Sequence, residues 1–75
     1  MEHYRNLSGD SNVVAYKIEQ SSIKVQFGND SVYLYTASSA GSVNLERMKQ
    51  LAQAGQGLNS FIKRVVNKGY AAKLR

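Results

Sequence analysis

The 75-residue chain contains no cysteine and no proline. Without cysteine there is no disulfide framework and no thiolate metal site, which removes thiol chemistry and makes the reducing cytoplasm the expected location. Without proline, no breaker interrupts any run able to form a helix or strand. Histidine occurs once, as His3 near the N-terminus. The carboxylates Asp10, Glu19, Asp30 and Glu46 fall singly in turns, strand ends and one helix position. Neither general acid–base catalysis nor a zinc or calcium site is expected from such a set, and no small-molecule cofactor is implied. Long apolar runs are missing too. No stretch approaches the ~20 apolar residues of a membrane span. The opening Met1-Glu2-His3-Tyr4-Arg5-Asn6 also lacks the apolar core of a signal peptide. A soluble binding protein with no membrane contact is the expectation.

What is present is positive charge, unevenly placed. The net formal charge is +5, made of −1 over residues 1–41 and +6 over residues 42–75, where Glu46 is the only acid. A basic C-terminal half favours a polyanionic partner, because each phosphate neutralised releases condensed counterions. The same charge also serves solubility. A single domain of this size has a small core, expected to be worth about 3–5 kcal/mol net. Self-association into a homodimer therefore stays open.

Residues 1–11 mix polar residues with Gly9 and have no period, which reads as a flexible N-terminal arm. Residues 12–70 read as the folded domain and 71–75 as a basic tail. Three strand-like runs follow the arm: Val13–Ile18, Ile23–Phe27 and Val32–Thr36. Gly28-Asn29-Asp30-Ser31 separates the last two, and Asn and Asp tolerate the positive φ of a tight hairpin turn. Gln20-Ser21 is the turn expected between the first two. Beyond the linker Ser38-Ser39-Ala40-Gly41-Ser42, Leu45, Met48, Leu51 and Ala52 recur at helical spacing, with Ser42 or Asn44 as N-cap and Gly55 as stop. A second helix is expected from Asn59, its stripe formed by Phe61, Ile62, Val65 and Val66 and its end set by Gly69. The fold class is α+β: a three-stranded antiparallel meander with two C-terminal helices packed on one face.

A two-residue Asn29-Asp30 loop would place Phe27 opposite Val32, Val25 opposite Leu34 and Ile23 opposite Thr36. Ile18, Tyr16 and Val14 would join that apolar side. Lys17 would then oppose Lys24 on the other face, together with Tyr33 and Tyr35. On that face the two phenols form a platform for stacking unpaired bases, with the lysines meeting phosphates. The alternative is ordinary packing, since tyrosine favours half-buried strand positions.

Two further groups bear on an anionic partner. Lys63, Arg64, Lys68, Lys73 and Arg75 form the densest basic cluster, and the first three ride on the second helix. Gly57 and Asn59, in Gly55-Gln56-Gly57-Leu58-Asn59-Ser60, form a candidate anion-binding loop at that helix's start. The bland reading of this segment is a helix stop and a capped start. It is not a dinucleotide fingerprint, because Ser60 stands at the last glycine position and a helix rather than a strand precedes it.

Ser11-Asn12 before the first strand, the central Tyr33-Leu34-Tyr35, and Gly57-Leu58-Asn59 followed by Ile62 occur in an order that resembles the KTSC domain. That short module is named for the C-terminus of some lysyl-tRNA synthetases and also occurs as small stand-alone bacterial proteins. The resemblance covers roughly residues 11–70. The chain differs in a longer stretch between Tyr35 and Gly57 and in the basic residues after Gly69. The family has no characterised function, and its association with a tRNA synthetase implies RNA binding. The expected function is thus a small module for RNA or single-stranded nucleic acid. The alternative is a protein-interaction or self-association module in which the tyrosine face or a strand edge meets another chain.

Overall fold

The computed structural model describes residues 1–9 and 11–75, so Asp10 lies outside the described residues. The elements are β1 (Glu2–His3), β2 (Val13–Glu19), β3 (Ser22–Phe27), β4 (Val32–Thr36), α1 (Ala37–Ala40), α2 (Ser42–Ala54), α3 (Leu58–Phe61) with a π-helical continuation Ile62–Val66, and β5 (Ala72–Lys73). The chain is an α+β fold with an antiparallel sheet. Among the described residues the sheet has five strands in sequence order, not three. The two additional strands are the short edges. Glu2 pairs with Tyr16 and His3 with Ala15, while Tyr33 pairs with Lys73 and Leu34 with Ala72. The segments expected as an arm and a tail therefore contribute backbone pairing. Two-residue strands leave no periodic signal to read.

At the β2–β3 turn the expected register is found: Glu19 faces Ser22, Ile18 faces Ile23, and Lys17 faces Lys24. Farther along, the register shifts between Val13 and Ala15. A bulge of this kind adds a residue to one strand and re-aims its neighbours. Val13 is consequently buried at 1 % exposure and Val14 turned out at 38 %, the reverse of the expected placement of Val14 on the apolar side.

The β3–β4 connection departs from expectation by one residue. The Phe27 N–H donates to the Ser31 carbonyl and the Asp30 N–H to the Phe27 carbonyl, both at 2.9 Å. Asp30 takes φ 71°. The loop is thus Gly28-Asn29-Asp30, a turn followed by a left-handed residue, a common three-residue hairpin closure. Its pairs are Ile23 with Tyr35, Lys24 with Leu34, Val25 with Tyr33 and Gln26 with Val32. Because side chains alternate with period two, one residue of slip exchanges the faces of the strand. Tyr33 and Tyr35 stand on the core side, and Val32 and Leu34 stand with Lys24 and Gln26 on the other.

Glycine in the left-handed conformation ends α2 as expected: Gly55 has φ 78°, and its N–H reaches the Leu51 and Ala52 carbonyls. A Cβ at Gly55 would lie 2.8 Å from that of Arg5, so the close approach of the N-terminal segment also requires glycine. The start of α2 is capped by Gly41, with Asn44 Nδ2 donating instead to the Ala40 carbonyl at 2.8 Å. Gly57, also left-handed at φ 84°, precedes α3, so Asn59 lies inside the first turn and is not its cap. The π-helical segment closes at Asn67, whose N–H bonds the Ile62 carbonyl, two residues before the expected stop at Gly69.

The core gathers Tyr16, Ile23, Val25 and Tyr35 of the sheet with Leu45, Met48 and Ala52 of α2, Leu58 of α3, and Ile62 and Val66 beyond it. Tyr4 joins from the segment after β1, 1 % exposed, and its hydroxyl accepts from the Leu58 N–H at 3.3 Å. That bond satisfies one donor that a helix start otherwise leaves free.

Candidate nucleic-acid interface

The structure separates the residues expected to share one face. Tyr35 is 1 % exposed, buried among core residues, so it offers no open ring to a base. The physical cause is the three-residue loop. Tyr33 is half-buried, with its ring 5.6 Å from Phe27 and 4.6 Å from Tyr70. Tyr70 also meets the Tyr35 ring edge-on at 6.2 Å. Burial, together with the nearby phenols of Tyr33 and Tyr70, pushes the Tyr35 hydroxyl up to about 12. Lys73 Nζ lies 5.9 Å above the Tyr33 ring. This is an aromatic cluster closing one end of the core rather than a two-ring platform.

Lys17 and Lys24 do face each other on the outer side of the sheet. Their repulsion is relieved by Glu19, whose carboxylate lies 3.8 Å from Lys24 Nζ. Two other cations are likewise compensated. Lys49 lies 3.5 Å from Glu46 and also donates to the Gln20 carbonyl, and Arg75 lies 3.9 Å from Asp30. The exposed Arg75–Asp30 pair contributes little to stability, and all three pairs lower the local positive potential.

Three further cations lie on or just after α3 and its continuation. Lys63, Arg64 and Lys68 are exposed, and none forms an ion pair among the described residues. The apolar stripe expected here is only partly buried: Ile62 and Val66 are buried and Phe61 half-buried, whereas Val65 is 51 % exposed. A π-helical turn is rare and recurs at functional sites.

Gly57, Asn59 and Lys63 come together at one wall of a polar hollow of about 250 Å³, completed by Ser60 and by Ser8 and Ser11 of the N-terminal segment. A second hollow, about 310 Å³, opens on another side of the same helix between Arg47 and Leu51 of α2 and Phe61, Arg64 and Val65. Both hollows share Gly57 and Ser60. Lys63 and Arg64, neighbours in sequence, thus line different, adjoining hollows.

Arg47, Leu51 and Phe61 are not marked as contact residues by the sequence pattern alone. Their spacing does carry a signal: Arg47 precedes Leu51 by one helical turn, as Phe61 precedes Arg64 and Val65. Only the angle between the two helices brings the pairs together. Among the described residues no cluster of His, Asp or Glu is grouped to hold a metal ion, and no helix is long and apolar enough to cross a membrane. Compared with known proteins, the chain matches no family model, no curated protein and no solved structure.

Proposed function

We propose that this protein is a small nucleic-acid-binding module that holds RNA or another single strand against α3 and its π-helical continuation. The observation that carries this reading is the set of exposed cations Lys63, Arg64 and Lys68, uncompensated by carboxylates among the described residues, beside the polar hollow of Gly57, Asn59 and Lys63. A cationic surface with hydrogen-bonding groups at its edge suits a phosphate backbone, and binding there needs no catalytic step. The resemblance of Ser11-Asn12, Tyr33-Leu34-Tyr35 and Gly57-Leu58-Asn59 to the KTSC domain supports the same reading. In it the tyrosine motif serves the core, and the Gly-x-Asn segment serves the surface. Lys17 and Lys24 are left as a secondary contact, because Glu19 offsets one of them.

The test is a titration of a labelled single-stranded RNA at several salt concentrations with the parent and a Lys63→Gln/Arg64→Gln/Lys68→Gln variant. Each phosphate that is no longer neutralised should reduce the slope of log affinity against log salt by about 0.7 for a single strand, or roughly 2 in total. An unchanged slope removes this helix from the interface. A parent that binds no nucleic acid at low salt defeats the reading. The competing reading is a protein partner or second copy on the outer side of α2, where Val43 is 80 % exposed over a shallow hollow formed with Ser42, Glu46, Arg47 and Gln50. A dimer mass in sedimentation, without RNA binding, would favour it.

A further inference from the structure

The groove between α2 and the π-helical segment combines three features. Its lining is largely apolar, through Leu51, Phe61 and Val65. Its lining also carries guanidinium groups from two different elements, Arg47 and Arg64, and among the described residues no carboxylate lines it. Arg47 donates to Gln50 Oε1 at 3.3 Å, and neither arginine is in an ion pair among the described residues. Val65, at 51 % exposure, is apolar surface with nothing over it.

We propose that this groove receives one unpaired nucleobase of a single strand, packed against Phe61, Leu51 and Val65, with the flanking phosphates on Arg47 and Arg64. This inference rests on the nucleic-acid reading above and deepens it: it names the base contact and makes the module a reader of single strands. Charge complementarity selects the occupant. Guanidinium groups present a planar fork to phosphate, and an aromatic side chain set into a basic groove is the combination by which unpaired bases are held. A base inside a duplex is stacked on both faces and cannot enter. At about 310 Å³ the groove sits at the small end of ligand clefts, roughly 300–1,000 Å³. A hollow of that volume suits one planar ring system.

The experiment uses an eight-nucleotide RNA carrying a single 2-aminopurine, whose fluorescence falls when the base stacks, and a duplex of the same length. The parent should quench the probe and bind the single strand in preference to the duplex. Phe61→Leu keeps an apolar chain at a half-buried position. It should weaken single-strand binding by about 5- to 150-fold and abolish the quench, with duplex binding unchanged. Val65→Glu, at an exposed position, places a carboxylate in the groove mouth and should produce the same effect even if Phe61→Leu proves too unstable to measure. If both variants bind and quench like the parent while Lys63→Gln/Lys68→Gln binds poorly, the groove proposal falls and the nucleic-acid reading stands. If the parent binds no RNA at low salt, or binds an acidic peptide in its place, both fall.

Discussion

Alanine substitution at Tyr35 and at Leu34 tests the one-residue difference in the β3–β4 hairpin. Tyr35 is 1 % exposed, faces Ile23 across the sheet and meets the Tyr70 ring at 6.2 Å. Truncating a buried aromatic side chain costs about 3–5 kcal/mol, because the neighbours cannot collapse into the space it leaves. That is comparable to the whole net stability expected of a domain this small, about 3–5 kcal/mol. Tyr35→Ala should therefore be largely unfolded in buffer. Leu34 lies on the opposite face, half-buried, with Lys24 and Ala72 as cross-strand neighbours. Complete burial of a leucine is worth about 1.5–3 kcal/mol, so its truncation here should cost about 1 kcal/mol. Urea unfolding followed by far-ultraviolet circular dichroism gives the Leu34→Ala value, shows Tyr35→Ala as the loss of the folded baseline, and gives a number for the milder Tyr35→Leu, expected to fall between them. A two-residue loop would reverse the order, since Leu34 would then face Val25 in the core. Leu34→Ala costing as much as Tyr35→Ala would refute the register.

Two further outcomes follow from the same geometry. Tyr35 has its hydroxyl raised from 10.0 to about 12, so the folded state holds this proton more tightly than the unfolded chain. The stability linked to Tyr35 is complete below pH 10 and is lost as the pH climbs towards 12, by up to about 3 kcal/mol. Urea midpoints should fall more steeply between pH 9.5 and 11.5 for the parent than for Tyr35→Phe; parallel slopes would show that the phenol is not desolvated. Removing residues 71–75 deletes four backbone bonds, Ala71 to Leu34, Leu74 to Val32, Arg75 to Val32 and Val32 to Arg75. At about 1 kcal/mol net for each bond, the truncated chain should be destabilised by roughly 4 kcal/mol, read as a lower thermal midpoint, whereas a free tail would leave that midpoint unchanged.

Much of this architecture follows from short-range signals. The helix over Ser42–Ala54 and its stop at Gly55 are legible because apolar spacing and a glycine C-cap are local properties. The β2–β3 register follows from its two-residue turn. The basic character of the C-terminal half is a matter of counting. Val-Tyr-Leu-Tyr-Thr, by contrast, is apolar on both faces, so its alternation does not say which face is the core. Gly28-Asn29-Asp30-Ser31 accommodates a two-residue or a three-residue loop with equal local chemistry. Packing decided between them, by placing the larger Tyr35 ring among Ile23, Val25 and Tyr70. The edge strands were invisible for a related reason: two paired residues have no period, and their partners lie far away in the chain. The candidate site divides the same way. Sequence determined that Lys63 and Arg64 share one helical segment, because their neighbourhood is fixed by a few residues of chain; Lys68, expected on the same helix, lies in the turn after it, past Asn67. Only tertiary structure decided that Lys24 is offset by Glu19 while no carboxylate among the described residues pairs with Lys63, Arg64 or Lys68. It also decided that Arg47 and Phe61 line one hollow, since contacts between elements depend on how two faces meet in space rather than on any spacing along one of them.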